Sequence, residues 1–254
     1  MPVPRLVGLH DGPESLTLVR HGESLGNLAD AEAQRQGVDR LDLDVRDADV
    51  DLSDAGRRQA DALQAWLRRA EEDERPTVVV SSPYRRAMDT AMRATDGLDL
   101  EVVLDERLRE RDLGVFDGLT GQGIRSQYAD EAERRRKVGK FYYQPPSGES
   151  WADVVLRVRS VLADLRHGFE GARVWLFSHQ AVIMSYHYVL DGLTEEQLME
   201  VDRSTRLGNV SMTSYRRTHG ELELTAFGDT SIVDAAEAEA TAEPSVHEKA
   251  AARE

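Results

Sequence analysis

The stretch 16–24, Leu-Thr-Leu-Val-Arg-His-Gly-Glu-Ser, constrains the fold of this 254-residue chain more than any other. A short apolar run rich in strand-forming residues meets Arg20-His21-Gly22, which is typical of a buried parallel strand that ends in a tight turn. Ligands of open α/β sheets bind outside the carboxyl ends of such strands. We therefore expect Arg20 and His21 at a binding site, where arginine matches phosphate oxygens and a neutral histidine can act as a nucleophile.

Apolar runs and helical patterns alternate along the rest of the chain. Further strands are predicted at 77–80, 101–104 and 173–177, followed by a hairpin of two strands at 209–216 and 221–227. Helices are predicted at 54–74, from Pro83 onward, and at 120–140, 149–168 and 181–190. The alternation predicts one α/β domain, a three-layer α/β/α structure with a mostly parallel central sheet.

The two ends of the chain differ from this pattern. Residues 1–14 hold proline and glycine without periodicity and are expected to form an irregular leader. The folded domain is then expected over 15–230. From residue 231 to 254 the sequence is rich in Ala and Glu and has almost no large apolar side chain, which predicts a disordered acidic tail.

Composition excludes several kinds of function. The chain has no cysteine, so disulfides, zinc–thiolate sites and a thiolate nucleophile are excluded. The net charge of −15 disfavours nucleic acid and anionic membranes as partners. The N-terminus lacks a signal-peptide profile and no run approaches the roughly 20 apolar residues that span a bilayer. A cytoplasmic protein is expected, either a monomer or a homodimer, that binds a small anionic molecule through a local arginine cluster.

Much of the acidity lies between residues 28 and 50. Asp47, Asp49 and Asp51 begin like a calcium loop, but Leu52 stands where the loop needs glycine and Arg58 where it needs the bidentate glutamate. A solvated acidic loop without a metal is therefore expected here.

Two more segments place polar residues after predicted strands. Residues 81–87, Ser-Ser-Pro-Tyr-Arg-Arg-Ala, follow one of them, and Pro83 is suited to the first turn of a helix. Arg85 is expected near the helix N-terminus, which favours an anion, whereas Arg86 is expected to point elsewhere and form a structural salt bridge. The segment Phe177-Ser178-His179 ends another strand.

These motifs, together with Leu108-Arg109-Glu110, resemble in their order the histidine phosphatase superfamily, also called the phosphoglycerate mutase-like family. The resemblance extends over about residues 15–214. It implies a metal-free and cofactor-free reaction through a phosphohistidine on His21, with Glu110 as the acid and then the base. It also implies that the phosphoryl group is bound by Arg20, by Arg85 and by His179 as an imidazolium.

Asn27 allows two interpretations. Its amide could donate to a phosphate oxygen, as an asparagine at this spacing does in the family, or its side chain could cap a turn.

The segment 111–148 carries the information on substrate. It is short compared with the insertion of family mutases, which favours hydrolysis. The segment 140–150 and His179-Gln180 resemble the bisphosphatase domain of the bifunctional fructose-2,6-bisphosphate enzyme. The resemblance implies substrate contacts by Gln180, Arg136 and Lys140, and we add Arg111, which follows Glu110. The chain departs from that domain at three further contact positions, which hold Gly121, Met184 and Trp151.

The sequence thus predicts a metal-independent phosphomonoesterase that acts on a small phosphorylated metabolite such as a sugar phosphate. A phosphoglycerate-type mutase with the same site is the first alternative. An inactive phosphate-binding module, with the arginines but no competent acid, is the second.

Overall fold

The computed structural model describes residues 12–236 and Thr241. Within them six strands form one sheet: β1 (Ser15–Arg20), β2 (Val78–Ser81), β3 (Val102–Leu104), β4 (Arg173–Ser178), β5 (Met212–Thr218) and β6 (Glu221–Asp229). Their order across the sheet is β3-β2-β4-β1-β5-β6. The first four in that order are parallel, and β5 and β6 add an antiparallel edge. The predicted, mostly parallel α/β sheet is confirmed.

The described residues also form α-helices on both sides of the sheet. They are α1 (Leu25–Gln36), α2 (Asp54–Leu67), α3 (Arg85–Thr95), α4 (Gly121–Gln127), α5 (Ala129–Val138), α6 (Trp151–Arg166), α7 (Gln180–Leu190), α8 (Glu195–Ser204) and α9 (Ser231–Ala235).

Alternate residues of the central strands supply two cores. Leu18 of β1 and Leu176 of β4 belong to a cluster with α6 and α7. Val19 and Phe177, each one residue further along the chain, belong to a second cluster with α2 and α3. Successive side chains of a strand point to opposite faces, so helices that cover both faces require continuously apolar strands. This explains the apolar runs in the sequence and gives the domain its three layers.

The acidic segment is more structured than predicted. Ser24 caps α1, since its hydroxyl accepts the N–H of Asn27 while the Asn27 side chain accepts the N–H of Ser24. The helix ends at Gly37, whose φ of 67° is left-handed.

The single helix predicted over 120–140 is divided into two helices, α4 and α5, because the backbone of Tyr128 (φ −133°, ψ 51°) interrupts it.

The C-terminal segment corrects the predicted domain boundary. The prediction that disorder begins at residue 231 is wrong for α9, where Val233 is fully buried in the cluster with α2 and α3. Thr241 also contacts the domain, because its hydroxyl accepts from Nε2 of Gln59 and donates to Oδ1 of Asn209, both at 3.0 Å. Residues 1–11, 237–240 and 242–254 lie outside the described residues, so the rest of the leader and tail predictions stay predictions.

None of the helices in the described part of the chain has the length and apolar character needed to cross a membrane.

Candidate active site

Three neighbouring parallel strands bring the candidate residues together. In the ladder of β1 and β4, Arg20 pairs with Ser178, and in that of β2 and β4, Ser81 pairs with Phe177. The next N–H groups continue both ladders: His21 donates to Ser178 O at 3.0 Å and Ser82 donates to Phe177 O at 2.9 Å. His21, His179 and Ser82 therefore emerge side by side at the carboxyl edge of the sheet.

The two histidine rings face each other. Their centroids are 5.1 Å apart and their planes are inclined by 56°. Nδ1 of His21 lies 2.7 Å from the carbonyl oxygen of Gly22. A carbonyl oxygen only accepts, so Nδ1 carries the proton and Nε2 keeps its lone pair. Nε2 of His179 lies 2.9 Å from Oγ of Ser82. The tautomer of His21 is thus the one that a nucleophile needs.

Burial and positive charge keep both imidazoles neutral. Burial is the largest cause that lowers the pKa of His21 well below its ordinary value, followed by the charges of Arg86 and Arg20, while the Gly22 hydrogen bond opposes them. For His179, burial comes first again, then Arg86, His21 and Arg20. The imidazolium expected at His179 therefore requires a negative charge beside the ring, such as a phosphoryl dianion, to raise its pKa.

The arginine from α3 in this site is Arg86. The prediction that Arg85 reaches the site is wrong, because its side chain is 54% exposed and pairs with Asp51 at 2.6 Å. The side chain of Arg86 is only 7% exposed and lies over the Tyr84 ring, which in turn packs edge-on against His179 at 5.3 Å. Arg86 also forms the predicted salt bridge, with Asp47, but it does so beside the histidines.

The pattern of α3 explains this correction. Positions four apart lie on one helix face, and Arg86 shares its face with the buried Thr90 and Ala94. Thr90 faces the His21 loop, because its hydroxyl accepts the N–H of Gly22 at 2.9 Å. Arg85 shares its face with Asp89, which is partly exposed. The small residues Thr90 and Ala94, spaced four apart from Arg86, are the signal in the sequence that could have identified its helix face as the buried one.

Arg20 is the second cation of the site. Its residue is 1% exposed, and Nη1 donates to the carbonyl oxygen of Leu207 at 2.5 Å. Its position at the end of β1, directly before His21, agrees with the prediction that it lies at the binding edge.

The loop that carries Glu110 is fixed at the same edge. Oγ of Ser178 donates to the carbonyl oxygen of Leu108 at 2.7 Å, and Nη1 of Arg157 donates to the carbonyl oxygen of Arg109 at 3.1 Å. Glu110 itself is half-buried, and its Oε1 accepts the N–H of Arg111 at 2.7 Å. Its role as the acid stays a prediction.

A second group of cations lies beyond Glu110. We call Arg111, Arg135 and Lys140 the cationic cluster. The guanidinium of Arg111 and Nζ of Lys140 lie 5.6 and 5.8 Å from the ring centroid of Trp151. Lys140 also forms an ion pair with Asp202. Burial lowers the pKa of Lys140, Asp202 raises it, and Arg135 and Arg111 lower it further. The charges of Arg111 and Arg135 thus both act on Lys140.

The prediction that Arg136 belongs with Lys140 is wrong. The side chain of Arg136 is 76% exposed and pairs with Glu133 on the same helix at 2.8 Å. Arg135 takes its place, because it is half-buried and acts electrostatically on both Arg111 and Lys140.

The remaining predicted residues have local roles in the structure. Asn27 caps α1, with its Oδ1 accepting from both N and Oγ of Ser24 at 2.9 and 3.1 Å. The capping interpretation of Asn27 is thus the one that the structure supports. Gln180 is the first residue of α7, half-buried and directly after His179. Its contact with a substrate, like that of Asn27 with phosphate, stays a prediction.

Sequence reasoning missed three residues that act on the site from distant parts of the chain. Asn209 donates from Nδ2 to the carbonyl oxygen of His21 at 2.9 Å, and Thr241 binds Asn209 in turn. Asp47, from the segment expected to be a solvated loop, forms the ion pair with Arg86. These contacts join residues far apart in sequence, and no local pattern marks them.

Backbone packing behind His21 is also tight. A Cβ on Gly56 would lie 2.0 Å from the carbonyl oxygen of Glu23, and a Cβ on Gly22 would lie 2.7 Å from that of Gly56. Only glycine allows the N-terminus of α2 to approach the His21 loop so closely.

Clusters of three or more metal-ligating side chains do not occur among residues 12–236 and Thr241.

Comparisons with known proteins place the chain in a family. Residues 16–230 match the model of the histidine phosphatase superfamily, branch 1. A bifunctional protein of Mycobacterium tuberculosis is 35% identical over 181 residues, 69% of this chain and 44% of that protein. The 6-phosphofructo-2-kinase/fructose-2,6-bisphosphatase of Caenorhabditis elegans is 33% identical over 187 residues, 72% of this chain and 36% of that protein. The chain thus spans less than half the length of these curated relatives.

A solved structure gives the same result. The mycobacterial glucosyl-3-phosphoglycerate phosphatase in complex with inorganic phosphate superposes with a TM-score of 0.67 at 27% identity, covering 87% of this chain and 99% of that one. The resemblance inferred from the motifs is confirmed, and the chain belongs to the histidine phosphatase superfamily.

Proposed function

We propose that this chain is a phosphomonoesterase that hydrolyses a small phosphorylated metabolite through a phosphohistidine on His21. The observation that carries the proposal is the state of the His21 ring. Its Nδ1 proton is held by Gly22, its pKa is depressed, and it lies opposite His179, so Nε2 offers a lone pair at neutral pH. The positive charges of Arg20 and Arg86 act on the same ring and would attract a phosphate dianion.

The first chemical step transfers the phosphoryl group. Nε2 of His21 attacks phosphorus, the bond from phosphorus to the ester oxygen breaks, and Glu110 donates its proton to the leaving alkoxide. Arg20, Arg86 and His179 stabilise the charge on the phosphoryl oxygens, where each charged hydrogen bond contributes about 1.5–3 kcal/mol.

The second step hydrolyses the phosphohistidine. The Glu110 carboxylate takes a proton from a water molecule, which attacks phosphorus and breaks the bond to Nε2. His21 recovers its lone pair and inorganic phosphate leaves. Glu110 thus carries the proton in both steps, which it gives to the leaving alkoxide and regains from water.

The cationic cluster supports a more specific substrate class. Arg111 directly follows Glu110, and the cluster would suit a substrate whose leaving group carries a second anionic group, such as a sugar bisphosphate or a glycosylated phosphoglycerate. The names of the fructose-2,6-bisphosphatase and glucosyl-3-phosphoglycerate phosphatase relatives describe such molecules. The Trp151 ring lies beneath two of the cations at a position where the bisphosphatase domain has tyrosine, which argues against fructose 2,6-bisphosphate itself.

Hydrolysis is preferred over mutase activity because the segment 111–148 is short. It contains a 3-10 turn at Gly114–Phe116, α4, α5 and their connections, and α6 begins at Trp151. A mutase must retain its phosphorylated intermediate until a second hydroxyl takes the phosphoryl group. A short segment at 111–148 favours access of water to that intermediate instead.

An ester panel tests the proposal. Wild type should release inorganic phosphate from esters, without forming an isomer from 3-phosphoglycerate, and His21→Ala should release none. Arg135→Ala should lower kcat/KM by about 10-fold or more for esters with a second anionic group but little for p-nitrophenyl phosphate. Arg136→Ala, one residue away and exposed, is the matched control. Isomer formation, or phosphate release by His21→Ala, would contradict the proposal.

A further inference from the structure

Asp47 accepts hydrogen bonds from both outer nitrogens of Arg86, the arginine that we assign to the phosphoryl group. Nη1 of Arg86 donates to the backbone oxygen of Asp47 at 2.6 Å and to Oδ1 at 2.9 Å, and Nη2 donates to Oδ2 at 3.3 Å. This is the paired arrangement by which arginine also binds phosphate oxygens.

We propose that the Asp47 carboxylate competes with phosphate for Arg86, and that this competition weakens product binding and speeds release of inorganic phosphate. The inference rests on the proposed function, because it assigns Arg86 to the phosphoryl group. It gives the acidic segment a role in turnover.

The competition follows from geometry and charge. The Arg86 side chain is 7% exposed, so its guanidinium has little freedom to turn towards a second anion while both of its outer nitrogens face Asp47. A phosphate that binds Arg86 must either displace the carboxylate or share the cation with it. Displacement breaks the ion pair with Asp47, and sharing places two like charges beside one cation, so both cost free energy.

The charge of Asp47 also acts on Tyr84, next to His179. It raises the pKa of the Tyr84 hydroxyl, second only to burial, and Tyr84 packs against His179. It also raises the pKa of Asp117. The charge of Asp47 therefore acts on Tyr84, a neighbour of His179, as well as on Arg86.

The position of Asp47 suits a carboxylate that can move aside. Its side chain is 42% exposed, and it belongs to a short 3-10 turn, Asp47–Asp49, on the surface. The turn is anchored after it by Val50, which is 2% exposed, and by the bridge between Leu52 and Ser24. The side chain can leave Arg86 while the backbone on that side stays fixed.

Two substitutions in the same turn separate this role from general effects. Asp47→Asn keeps the shape of the side chain and one oxygen that can accept from Nη1, so Arg86 stays oriented while the negative charge is removed. Asp49→Asn removes a charge whose ion pair, at 2.6 Å with Arg46, is exposed and local. A thermal melt of each variant checks that the fold is retained.

Calorimetric titration of the full chain with inorganic phosphate is the test. We expect Asp47→Asn to bind phosphate roughly 10-fold more tightly than wild type, with an equal fall in the product-inhibition constant, and Asp49→Asn to match wild type. Unchanged or weaker binding in Asp47→Asn would overturn the inference. Arg86→Ala should weaken binding strongly. If wild type bound no phosphate, or Arg86→Ala bound it as well as wild type, the proposed function would fail too, so the two failures are distinguishable.

Discussion

Oγ of Ser178 donates a 2.7 Å hydrogen bond to the carbonyl oxygen of Leu108, so the residue before one site histidine holds the loop that carries Glu110. Both residues are fully buried. The end of β4 therefore fixes His179 through its own backbone and Glu110 through this contact.

Ser178→Ala tests the importance of that contact. It leaves the Leu108 carbonyl oxygen without this donor in a buried place, which costs about 1–3 kcal/mol of unfolding free energy. We expect kcat to fall several-fold, because Glu110 loses its positioning, while KM changes little. Ser178→Thr, which keeps a hydroxyl, should recover part of kcat. An unchanged kcat would show that other contacts position the loop sufficiently.

Arg85 and Arg86 form a matched pair for mutation. Arg86→Ala removes a buried donor from the phosphoryl site and should lower kcat by about 100- to 1000-fold. Arg85→Ala removes an exposed ion pair with Asp51, which contributes about 0–1 kcal/mol to stability, and should leave kcat near wild type. Steady-state kinetics on one ester suffices. The reverse order of effects would restore Arg85 as the phosphate ligand.

The depressed pKa values of His21 and His179 predict a pH dependence of stability. The unfolded chain protonates its histidines near pH 6.5, whereas these two stay neutral in the folded protein to lower pH. The unfolded state thus binds more protons below about pH 6.5, and the free energy of unfolding should fall as the pH is lowered.

Urea titrations of wild type and His179→Gln at several pH values measure this effect. The slope of unfolding free energy against pH should be about 1.4 kcal/mol per pH unit smaller in the variant, because one linked proton is removed. An identical slope in His179→Gln would mean that His179 titrates normally in the folded chain.

The helices show what sequence reasoning could and could not supply. The approach of His21 to His179 was predictable, because parallel strands end at one edge and each histidine follows an apolar strand. The predicted Arg85 and Arg136 each lie one residue away from the more buried arginine, Arg86 or Arg135. A helix turns by about 100° per residue, so a motif can place an arginine on the right helix and still assign the wrong face.

Long-range contacts were beyond sequence reasoning altogether. Asp47 reaches Arg86 from another segment, and Thr241 reaches Asn209 from the region that composition marks as disordered. Acidic and Ala-rich composition does not exclude a single anchored side chain, such as Val233.

Thr241 connects that C-terminal region to His21 through Asn209. Its hydroxyl binds Asn209, whose Nδ2 donates to the carbonyl oxygen of His21. Thr241→Val keeps the volume but removes the hydroxyl, and we expect a several-fold lower kcat with little change in KM. Thr241→Ser should behave as wild type. Equal kinetics for Thr241→Val would mean that Asn209 holds His21 without help from the C-terminal region.

The phosphoenzyme provides the most direct test of the central claim. Wild type should be mixed with a labelled phosphate ester, quenched in alkali within milliseconds, and the labelled residue identified by mass spectrometry. Our account predicts an acid-labile phosphoryl group on His21, absent in His21→Ala and longer-lived in Glu110→Gln, where no carboxylate activates water. Turnover without any phosphoenzyme, or a label on another residue, would contradict it.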